Sequence, residues 1–539
     1  MKYIFVVGGV MSSVGKGITA ASVGRILLAK GLRVTAVKAD PYINLDAGTM
    51  NPTEHGEVFV TEDRDETDQD LGNYERFLNE NILSVNYMTT GRVYDTVIRK
   101  ERNLEYKGAC VEVVPHIPEE IIKRIKDAQK QAKADVTIIE IGGTVGEYQN
   151  ILFLEAARMM KTRQPNDVCF MLVSYLPIPE RVGEMKTKPT QSAARALNAA
   201  GIQADFIICR AAKPLDKKRQ EKLATFCGIH SENAISAPDV DMIYQIPQVL
   251  EKQQLGDKIL KQLHLKARPT HLQNWNAMVK RAMQVTKPLN IAIVGKYFGT
   301  GEYTLSDSYI SVIEALKHAA WSQDRKPQLT WIDSEAYETN PKKAKELSKY
   351  DGVIVPGGFG TRGVEGIITA IHYVRVSGIP YLGLCYGMQL AMIEIARHEA
   401  GLLEANTVEM RPNTPEPIIH INPKQSENVK LNHYGGTMRL GSFRCVVQKQ
   451  TKAYQAYGKA EISERHRHRY EFNNAYKEIL EQAGVVFSGI NPEQDLVEIA
   501  EYTKHPWFVG TQFHPEFKSR PLEPHPLYTG FVKACLKKQ

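Results

Sequence analysis

The sequence contains few cysteines and no close cysteine pair. Its seven cysteines are scattered along the chain, and none stands in a C-x-x-C spacing. Closely spaced cysteine pairs are the usual signature of zinc sites and of disulfide frameworks, so the sequence argues against both. Unpaired thiols persist in a reducing compartment, and we therefore expect a cytoplasmic protein.

Long apolar runs and a dominant charge are also missing. The most apolar long stretch, residues 379–396, is interrupted by Gln389 and Glu394, whereas a membrane span needs roughly 20 predominantly apolar residues. Lys and Arg number 68 against 61 Asp and Glu, which gives a formal net charge of +7. This mild excess fits anionic small-molecule ligands and does not demand nucleic acid. We expect neither a membrane nor a nucleic-acid partner.

The chain is too long for a single core, because 539 residues exceed the size at which one core stops growing. The first part alternates apolar, strand-like segments with helix-like ones. A helix is predicted at residues 18–30, and strands are predicted at residues 3–7, 33–38, 136–141, 168–175 and 205–209. This alternation indicates a parallel α/β sheet, which binds its ligands at the carboxyl ends of the strands.

A second α/β unit is predicted to begin near residue 290. Residues 272–285 resemble a linker helix, which Thr286-Lys287-Pro288 ends. A new apolar strand is predicted at residues 290–294, and the polar segment 412–436 is predicted to be rich in loops. We therefore expect an N-terminal domain of residues 1–267, a linker of residues 268–288 and a C-terminal domain of residues 289–539.

The segment Gly383-Leu384-Cys385-Tyr386-Gly387 has the layout of a nucleophile elbow. It follows the apolar residues 379–384 and precedes a helix predicted at residues 388–395. Such a turn exposes a reactive side chain above a sheet, and its flanking glycines leave room for tight packing. On its own, the segment is equally compatible with a buried structural cysteine.

Two other segments favour the catalytic interpretation of Cys385. Upstream, Pro356-Gly357-Gly358-Phe359-Gly360 offers backbone amides for an oxyanion. Downstream, His514-Pro515-Glu516 offers a base and a carboxylate that orients it. In this chain order, the cysteine, histidine, glutamate and oxyanion loop resemble the class I (triad) glutamine amidotransferases.

A glycine-rich segment, residues 8–17, lies between the first strand and the first helix. Backbone amides and a helix N-terminus there favour a phosphate, and Lys16 adds positive charge. The segment departs from a strict Walker A motif, because Gly9 and Gly15 are one residue too far apart and Gly17 replaces the Ser or Thr that holds Mg²⁺. An ordinary glycine-rich turn is the alternative.

The metal ligand missing from this loop has to come from elsewhere in the sequence. Asp68 and Asp70 lie in a carboxylate-rich segment predicted to be a loop, and Glu140 ends a predicted strand directly before Gly142-Gly143. Mg²⁺ prefers oxygen ligands and usually takes one or two carboxylates. A solvated acidic loop is the alternative for Asp68 and Asp70.

Longer motifs resemble the CTP synthase family over essentially the whole chain. They occupy residues 38–44, 46–50, 55–60, 141–146, 186–191, 435–441 and 465–471. The last of these contains the basic run 465–469, which we therefore assign to the glutaminase site rather than to nucleic acid. The resemblance implies a P-loop-like, parallel-sheet synthetase (amidoligase) domain followed by an α/β class I glutamine amidotransferase domain.

The family resemblance also implies a reaction. ATP phosphorylates the C4 oxygen of UTP, and ammonia then displaces the phosphate to give CTP. The ammonia comes from glutamine and passes between the domains through an interior route, where low polarity keeps it neutral. The family further implies Mg²⁺ with ATP, GTP as an allosteric activator, CTP as a feedback inhibitor, and a homotetramer that often forms filaments.

By the same resemblance, the nucleotide sites can be assigned. ATP is expected to contact Ser13, Val14, Gly15, Lys16, Gly17, Ile18, Asp70, Pro238, Asp239 and Val240. Mg²⁺ is expected on Asp70 and Glu140, and Lys16 and Lys38 support phosphoryl transfer. UTP and CTP are expected to contact Ser12, Glu147, Tyr148, Gln149, Lys186, Thr187, Lys188, Pro189, Thr190, Gln191 and Lys222.

In the glutaminase, the resemblance makes Cys385 the nucleophile, His514 the base and Glu516 the residue that orients it. The amides of Gly358 and Tyr386 are expected to form the oxyanion hole. Glutamine is expected to contact Gly358, Tyr386, Gly387, Met388, Gln389, Glu409 and Arg469. For GTP, only a lid near residues 360–366 is suggested.

The sequence departs from the family at one regulatory segment. Where the family commonly has Asp-Ile-Glu, this chain has Glu147-Tyr148-Gln149. One carboxylate is a methylene longer and the other is replaced by an amide. We expect catalysis to be kept and feedback by CTP to change.

Two alternatives are weighed against this function. One is another ATP-dependent glutamine amidotransferase, for example an enzyme that amidates a carboxylate; the resemblance of residues 186–191 to a UTP-binding motif argues against it. The other is a non-enzymatic nucleotide-binding scaffold or filament protein. The presence of Cys385, His514, Glu516, Lys16 and Asp70 argues against that alternative.

Overall fold

The structure is a computed structural model that describes residues 1–181, 183–296, 299–300, 303–304, 306–422 and 438–538. The chain forms two compact units. Unit 1 contains Met1–Ala47 and Asp70–Val279, and unit 2 contains Gly48–Gln69 and Lys280–Gln539. Most of the segment predicted to be loop-rich, and Gly435, Gly436 and Thr437 of a family motif, lie outside the described residues.

The strands are named here in chain order. They are β1 Lys2–Gly9, β2 Val34–Asp40, β3 Phe59–Val60, β4 Glu66–Thr67, β5 Tyr87–Thr89, β6 Val136–Ile141, β7 Val168–Tyr175, β8 Phe206–Ala211, β9 Ala234–Pro238, β10 Pro288–Gly295, β11 Gly299–Thr300, β12 Tyr303–Thr304, β13 Lys326–Asp333, β14 Gly352–Val355, β15 Tyr381–Leu384, β16 Ala405–Thr407, β17 Glu416–Ile421, β18 Arg439–Val447, β19 Glu461–His468, β20 Tyr470–Phe472, β21 Val485–Asn491, β22 Leu496–Tyr502 and β23 Phe508–Thr511.

The α-helices of the described residues are named in the same way. They are α1 Lys16–Ala29, α2 Pro52–His55, α3 Asp70–Leu78, α4 Thr90–Arg102, α5 Val113–Gln131, α6 Ile151–Arg163, α7 Lys188–Ala199, α8 Lys217–Cys227, α9 Ile246–Glu251, α10 Leu255–Gln262, α11 Gln273–Gln284, α12 Ile310–Ser322, α13 Glu335–Thr339, α14 Val364–Val376, α15 Tyr386–His398, α16 Lys452–Tyr457, α17 Lys477–Gln482 and α18 Pro526–Lys538.

Unit 1 is built on a seven-stranded sheet in the order β5-β2-β6-β1-β7-β8-β9. Every neighbouring pair in it runs parallel. The central strands are buried along nearly their whole length, as expected for apolar strands with helices on both faces. The predicted parallel sheet is confirmed, and the loops after β1 and β6 lie beside each other at its carboxyl edge.

Unit 2 is built on a nine-stranded mixed sheet in the order β13-β10-β14-β15-β23-β22-β21-β18-β19. The first five strands run parallel, and the last four join antiparallel. Alternate residues of β10 face opposite sides: Ile291 and Ile293 pack with α12 and α18, whereas Ala292 and Val294 pack with α14 and α15. Helices therefore cover both faces, as in unit 1.

Residues 48–69 pack within unit 2 although they lie early in the sequence. Their strands β3 and β4 pair antiparallel, and Phe59 meets Phe517 edge to face with 5.1 Å between ring centroids. The division into residues 1–267, 268–288 and 289–539 did not anticipate this packing, because the contacts are remote in sequence. Within the described residues, no helix is both long and apolar enough to cross a membrane.

Candidate active sites

The turn between β1 and α1 has the backbone geometry of an anion-binding loop. Gly15 precedes α1 with a φ of 91°, which glycine adopts without the strain that a Cβ would add. The helix begins at Lys16, so the free amides of its first turn point out of its N-terminus. Lys16 Nζ donates to the carbonyl of Gly143 at 2.8 Å, and burial lowers the pKa of this lysine. The loops after β1 and β6 thus share one polar site.

A cluster of three carboxylates and a lysine lies beside this loop; one carboxylate is Asp40, which lies 3.6 Å from Lys38 Nζ. Lys38 on β2 is directly opposite Glu140 on β6, with 3.2 Å between Nζ and Oε1. The same ammonium bonds to Asp70 at the start of α3, and Tyr74 donates to the second oxygen of Glu140. A Cβ on Gly17 would collide with Asp70. A side chain at position 17 would therefore displace the Asp70 carboxylate from its place beside the helix.

The pKa shifts in this cluster follow from burial and charge. Burial and the neighbouring Asp70 raise the pKa of Glu140 to about 7, against the opposing charges of Lys38 and Lys16. Burial would also raise the pKa of Asp70, but its bond to Lys38 outweighs that effect and lowers it. Carboxylate oxygens are the donors that Mg²⁺ prefers. The structure thus brings the two predicted metal ligands together, and their donor set fits the ion.

Arg210 joins the glycine-rich loop to the residues predicted to bind ATP near β9. Its Nη2 lies 2.9 Å from Asp239 Oδ1, and its Nη1 donates to the carbonyl of Pro238 at 3.3 Å. A Cβ on Gly15 would lie 3.6 Å from Arg210 Nε. The sequence interpretation missed Arg210, although a basic residue near the carboxyl end of a parallel strand is a usable signal.

The segment predicted to bind UTP leads into α7. Lys186 Nζ pairs with Glu184 at 2.8 Å, and Arg219 on α8 reaches the same glutamate at 2.9 Å. Lys222 lies one turn farther along α8 and is exposed. Basic side chains from the segment before α7 and from α8 thus meet at Glu184.

The loop after β6 contains the segment that departs from the family. The carboxylate of Glu147 accepts from the amide and the hydroxyl of Thr144 at 2.9 and 2.6 Å. Gln149 Nε2 donates to the other oxygen of Glu147 at 2.9 Å. Tyr148 is 91 % exposed, and Ser12 on the preceding loop is exposed as well. Gln149 is therefore tied to Glu147, a bond that a glutamate at this position would not donate.

In unit 2, Cys385 occupies a strained turn between β15 and α15. Its φ of 49° and ψ of −99° lie in a region that residues with a Cβ avoid. Its amide donates to the carbonyl of Thr511 at 2.6 Å, and a Cβ on Gly387 would collide with the backbone of Val355. These contacts hold the turn in the geometry of a nucleophile elbow, which a merely structural cysteine would not need.

His514 and Glu516 form a buried pair beside this cysteine. His514 Nδ1 lies 2.7 Å from Glu516 Oε1, so Nδ1 carries the proton and Nε2 is left to accept one. Burial alone would lower the pKa of His514, but the charges of Glu516 and Cys385 raise it above its ordinary value. Gly357 is close enough that a Cβ there would lie 2.8 Å from His514 Cε1. Cysteine, base, carboxylate and glycine loop are thus assembled in one unit.

The predicted oxyanion loop is held by residues on both sides. The amide of Gly360 donates to Glu409 at 3.0 Å, and a Cβ on Gly358 would lie 3.6 Å from the ring of Tyr386. Lys296, which the sequence interpretation missed, donates to the carbonyl of Gly360 at 2.6 Å and lies 4.6 Å from the ring centroid of Tyr386. Burial lowers the pKa of Lys296 to about 8.

A chain of side-chain amides leads from α15 to the sulfur. Gln389 Nε2 donates to the carbonyl of Tyr470 at 3.0 Å and to Gln512 at 3.2 Å. Gln512 in turn donates to Cys385 Sγ at 3.6 Å. Gln512 was missed from the sequence, although it stands two residues before His514. The Met388 side chain is fully buried in the core, so only its backbone remains to face a ligand.

Residues 465–468 of the basic run lie in the largely buried half of β19 rather than in an exposed patch. Arg465 is fully buried, and the carbonyl of Arg467 lies 4.0 Å from Cys385 Sγ. Arg467 Nε pairs with Glu66 at 2.8 Å. The segment of Asp68 and Asp70 was predicted to be a loop, and this is wrong at both of its ends, because Glu66–Thr67 form β4 and Asp70 begins α3. Arg469, expected to contact glutamine, is also buried in this unit.

Comparison with known proteins finds relatives for both halves of the chain. A family model described as CTP synthase N-terminus matches residues 2–265, and one described as glutamine amidotransferase class-I matches residues 304–534. The CTP synthase of Caldanaerobacter subterraneus subsp. tengcongensis is 50 % identical over 537 residues, which are 99 % of this chain and 98 % of that protein. The CTP synthase of Geobacillus kaustophilus is 49 % identical over 537 residues, 99 % of each chain.

Among solved structures, the Trypanosoma brucei CTPS glutaminase domain with bound acivicin is 34 % identical with a TM-score of 0.43, covering 47 % of this chain and 95 % of that one. The alignments with the full-length relatives cover 99 % of the chain and therefore span both units. The chain belongs to the CTP synthase family.

Proposed function

We propose that the protein is a glutamine-hydrolysing ligase that forms CTP from UTP, ATP and glutamine. The observation that carries the proposal is that one chain combines two different sites. Unit 2 places the strained Cys385 beside a His514–Glu516 pair, and unit 1 places Lys16 and Lys38 around the carboxylates of Asp70 and Glu140. The first suits amide hydrolysis and the second suits phosphoryl transfer.

In the glutaminase half-reaction, the Cys385 sulfur attacks the side-chain amide of glutamine. His514 Nε2 takes the thiol proton and delivers it to the departing ammonia, while Glu516 orients the imidazole through its contact with Nδ1. The amides of Gly358 and Tyr386 stabilise the oxyanion. Water then hydrolyses the thioester, which releases glutamate and restores the thiol. Gln389, Glu409 and Arg469 position the substrate.

In the synthetase half-reaction, the terminal phosphoryl group of ATP moves to the C4 oxygen of UTP. Ammonia then attacks C4, and phosphate leaves to give CTP. Lys16 and Lys38 neutralise the charge on the transferring group. Asp70 and Glu140 would hold Mg²⁺, which supplies further charge neutralisation at the phosphates. Lys38 keeps the two carboxylates together despite their mutual repulsion.

Regulation and assembly follow the family in this proposal. GTP activates glutamine hydrolysis, and CTP inhibits the formation of further CTP. The chain works as a homotetramer that can extend into filaments. The bond from Gln149 to Glu147 supports a changed response to CTP, because it uses a carboxylate oxygen in the predicted CTP-binding segment. The cytoplasmic location expected from the unpaired cysteines stays a prediction.

The test is to incubate the purified protein with UTP, ATP, Mg²⁺ and glutamine and to quantify CTP, ADP, phosphate and glutamate. The proposal predicts the four products in equal amounts, and a reaction that stops when UTP is omitted. Consumption of ATP and glutamine without CTP would favour an amidotransferase with another acceptor. Nucleotide binding without turnover of either ATP or glutamine would favour a scaffold.

A further inference from the structure

Lys296 lies where three strands of unit 2 end side by side. It directly follows β10, which pairs in parallel with β14, and β14 pairs in parallel with β15. The loop of residues 356–360 follows β14, and Cys385 follows β15. Because the carboxyl ends of parallel strands meet at one edge of a sheet, the fold brings this lysine to the glycine loop and to the elbow. None of the proposed catalytic steps involves Lys296.

The ammonium group of Lys296 holds two consecutive carbonyls of the glycine loop. Its Nζ donates to the carbonyl of Gly360 at 2.6 Å and to the carbonyl of Phe359 at 3.3 Å. The amide of Gly360 belongs to the same peptide group as the Phe359 carbonyl, and it donates to Glu409 at 3.0 Å. This peptide group is therefore held at its oxygen by a cation and at its nitrogen by a carboxylate. Rotation of the peptide group would break both contacts.

The same lysine connects the loop with the first residue of α15. The Tyr386 hydroxyl donates to the carbonyl of Gly360 at 2.9 Å, so this carbonyl accepts from Tyr386 and from Lys296 together. Lys296 Nζ also lies 4.6 Å from the centroid of the Tyr386 ring, within the range of a cation–π contact. The amides of Gly358 and Tyr386 are the two proposed oxyanion donors. Lys296 thus contacts both the loop and the residue that carry them.

The protonated form of Lys296 suits these contacts. An ammonium group has three N–H donors, and two carbonyls and the face of an aromatic ring surround this one. Burial lowers the pKa of Lys296 to about 8, although the charges of Glu409 and Glu338 oppose the shift. The side chain is therefore charged at neutral pH. Above about pH 8 it becomes an amine with one donor fewer and no charge, so its hold on the loop weakens.

We propose that Lys296 is a positioning residue of the glutaminase, which fixes the glycine loop against Tyr386 so that the amides of Gly358 and Tyr386 converge on the oxyanion. This inference rests on the proposed glutamine hydrolysis and adds a residue to it. Preorganised oxyanion donors stabilise the charge that develops in the transition state. Loss of the lysine should therefore lower kcat and largely preserve the affinity for glutamine. It should also spare any reaction of Cys385 that forms no oxyanion.

The test compares Lys296→Met and Lys296→Arg with the wild type as full-length proteins, with ATP, UTP, Mg²⁺ and GTP present. Methionine is unbranched and of similar length but has neither charge nor donor, whereas arginine keeps both. Lys343→Met, at an exposed lysine of unit 2, is the matched control. The measurements are glutamate release from glutamine, CTP formation from ammonia, and alkylation of Cys385 by iodoacetamide, read by mass spectrometry. Alkylation displaces iodide and forms no oxyanion.

We expect kcat for glutamine hydrolysis to fall at least about tenfold in Lys296→Met. Its KM for glutamine, its ammonia-dependent rate and its rate of alkylation should stay close to the wild-type values. Lys296→Arg should recover most of kcat, and Lys343→Met should match the wild type. A wild-type kcat in folded Lys296→Met, or an equal loss of alkylation or of ammonia-dependent activity, would overturn the proposal. A wild type that releases no glutamate would refute the proposed function and this inference with it.

The pH profile gives a second readout, which also serves if Lys296→Met does not fold. The wild-type kcat for glutamine hydrolysis should decrease above about pH 8, as the ammonium group loses its proton. Lys296→Arg should keep its kcat there, because a guanidinium group stays protonated. Glu409, Glu338 and His514 are present in both proteins, so their own titration cancels in the comparison. Identical alkaline profiles in the wild type and Lys296→Arg would overturn the proposal.

Discussion

Each unit places a strand-to-helix turn at the carboxyl edge of parallel strands, but the two turns expose different chemistry. In unit 1, Gly15 precedes the helix with a φ of 91°, Val10 and Ser13 of the same loop also have positive φ, and the turn presents backbone amides and Lys16. In unit 2, Cys385 precedes the helix with a φ of 49°, so the strained residue is the one whose side chain is presented. The difference shows how one topology serves either anion binding or nucleophilic attack.

The charged residues around the two turns differ as well. Around Gly15, Lys38 pairs with both Asp70 and Glu140, and its ammonium offsets one of the two carboxylate charges, which suits a site that holds a cation beside phosphates. Around Cys385, one histidine is held by one glutamate, which suits a single proton transfer. A substitution at one site should therefore abolish the half-reaction of that unit and leave the half-reaction of the other unit active.

The largest effect is expected from Cys385→Ala. Without the thiol, glutamine-dependent formation of CTP should fall below detection, because only the glutaminase needs a nucleophile. Formation of CTP from ammonium salts should continue near the wild-type rate. The measurement is CTP formation with each nitrogen source at saturating UTP and ATP. Loss of both activities in a folded variant would contradict the division between the units.

Substitutions at the phosphate site should act on both nitrogen sources. In the proposed function, Lys16→Ala and Asp70→Asn each remove a charge that acts in phosphoryl transfer, and each should slow CTP formation by at least about 10²-fold with glutamine or ammonia. Lys123→Ala is a matched control, because Lys123 is an exposed lysine on α5 that pairs with Asp127. A normal ammonia-dependent rate in Lys16→Ala would refute the assignment.

The backbone difference between the turns can be tested through stability. Gly15→Ala adds a Cβ at a positive φ and should destabilise unit 1 by about 1–2 kcal/mol. Cys385→Gly should relieve strain that is worth roughly 1–3 kcal/mol, so it should be more stable than Cys385→Ala while lacking glutaminase activity. The free energy of unfolding of the three variants and of the wild type, measured with denaturant, tests both expectations. A Cys385→Gly variant less stable than Cys385→Ala would show that the turn is not strained.

The smallest effect concerns Gln149. A carboxylate accepts a stronger hydrogen bond than an amide by roughly 1 kcal/mol, so Gln149→Glu should tighten CTP inhibition by about fivefold with little change in UTP kinetics. Gln149→Ala is the control, since it removes the bond to Glu147 without adding charge. The measurement is the inhibition constant for CTP in both variants and in the wild type. Equal constants in Gln149→Glu and the wild type would rule out a role of residue 149 in CTP inhibition.

Much of the fold could be predicted because its strands are continuously apolar. The limits predicted for β6 and β7 agree with the structure, and the helix predicted at residues 18–30 begins two residues earlier, at Lys16. The elbow was predictable because its glycines, its cysteine and the preceding strand are adjacent in sequence. For these elements, the residues that determine the structure are close neighbours in the sequence.

The remaining features depend on contacts between distant residues. Lys38 faces Glu140 because of strand register, and Arg210 meets Asp239 because two parallel strands end together. The packing of residues 48–69 in unit 2 depends on partners such as Arg465 and Phe517, about 400 positions away. Lys296 and Gln512 were missed for the same reason: neither belongs to a local motif, and each becomes recognisable only once the glycine loop or the cysteine is placed beside it.

The central claim is that one chain performs two separable half-reactions, and one ratio tests it most directly. CTP formation with glutamine, divided by CTP formation with ammonia, should be measured side by side for the wild type, Cys385→Ala and Lys16→Ala. The account predicts a ratio near zero for Cys385→Ala. It predicts a ratio close to the wild-type value for Lys16→Ala, with both of its rates strongly reduced. A ratio that falls in Lys16→Ala, or stays unchanged in Cys385→Ala, would contradict the account.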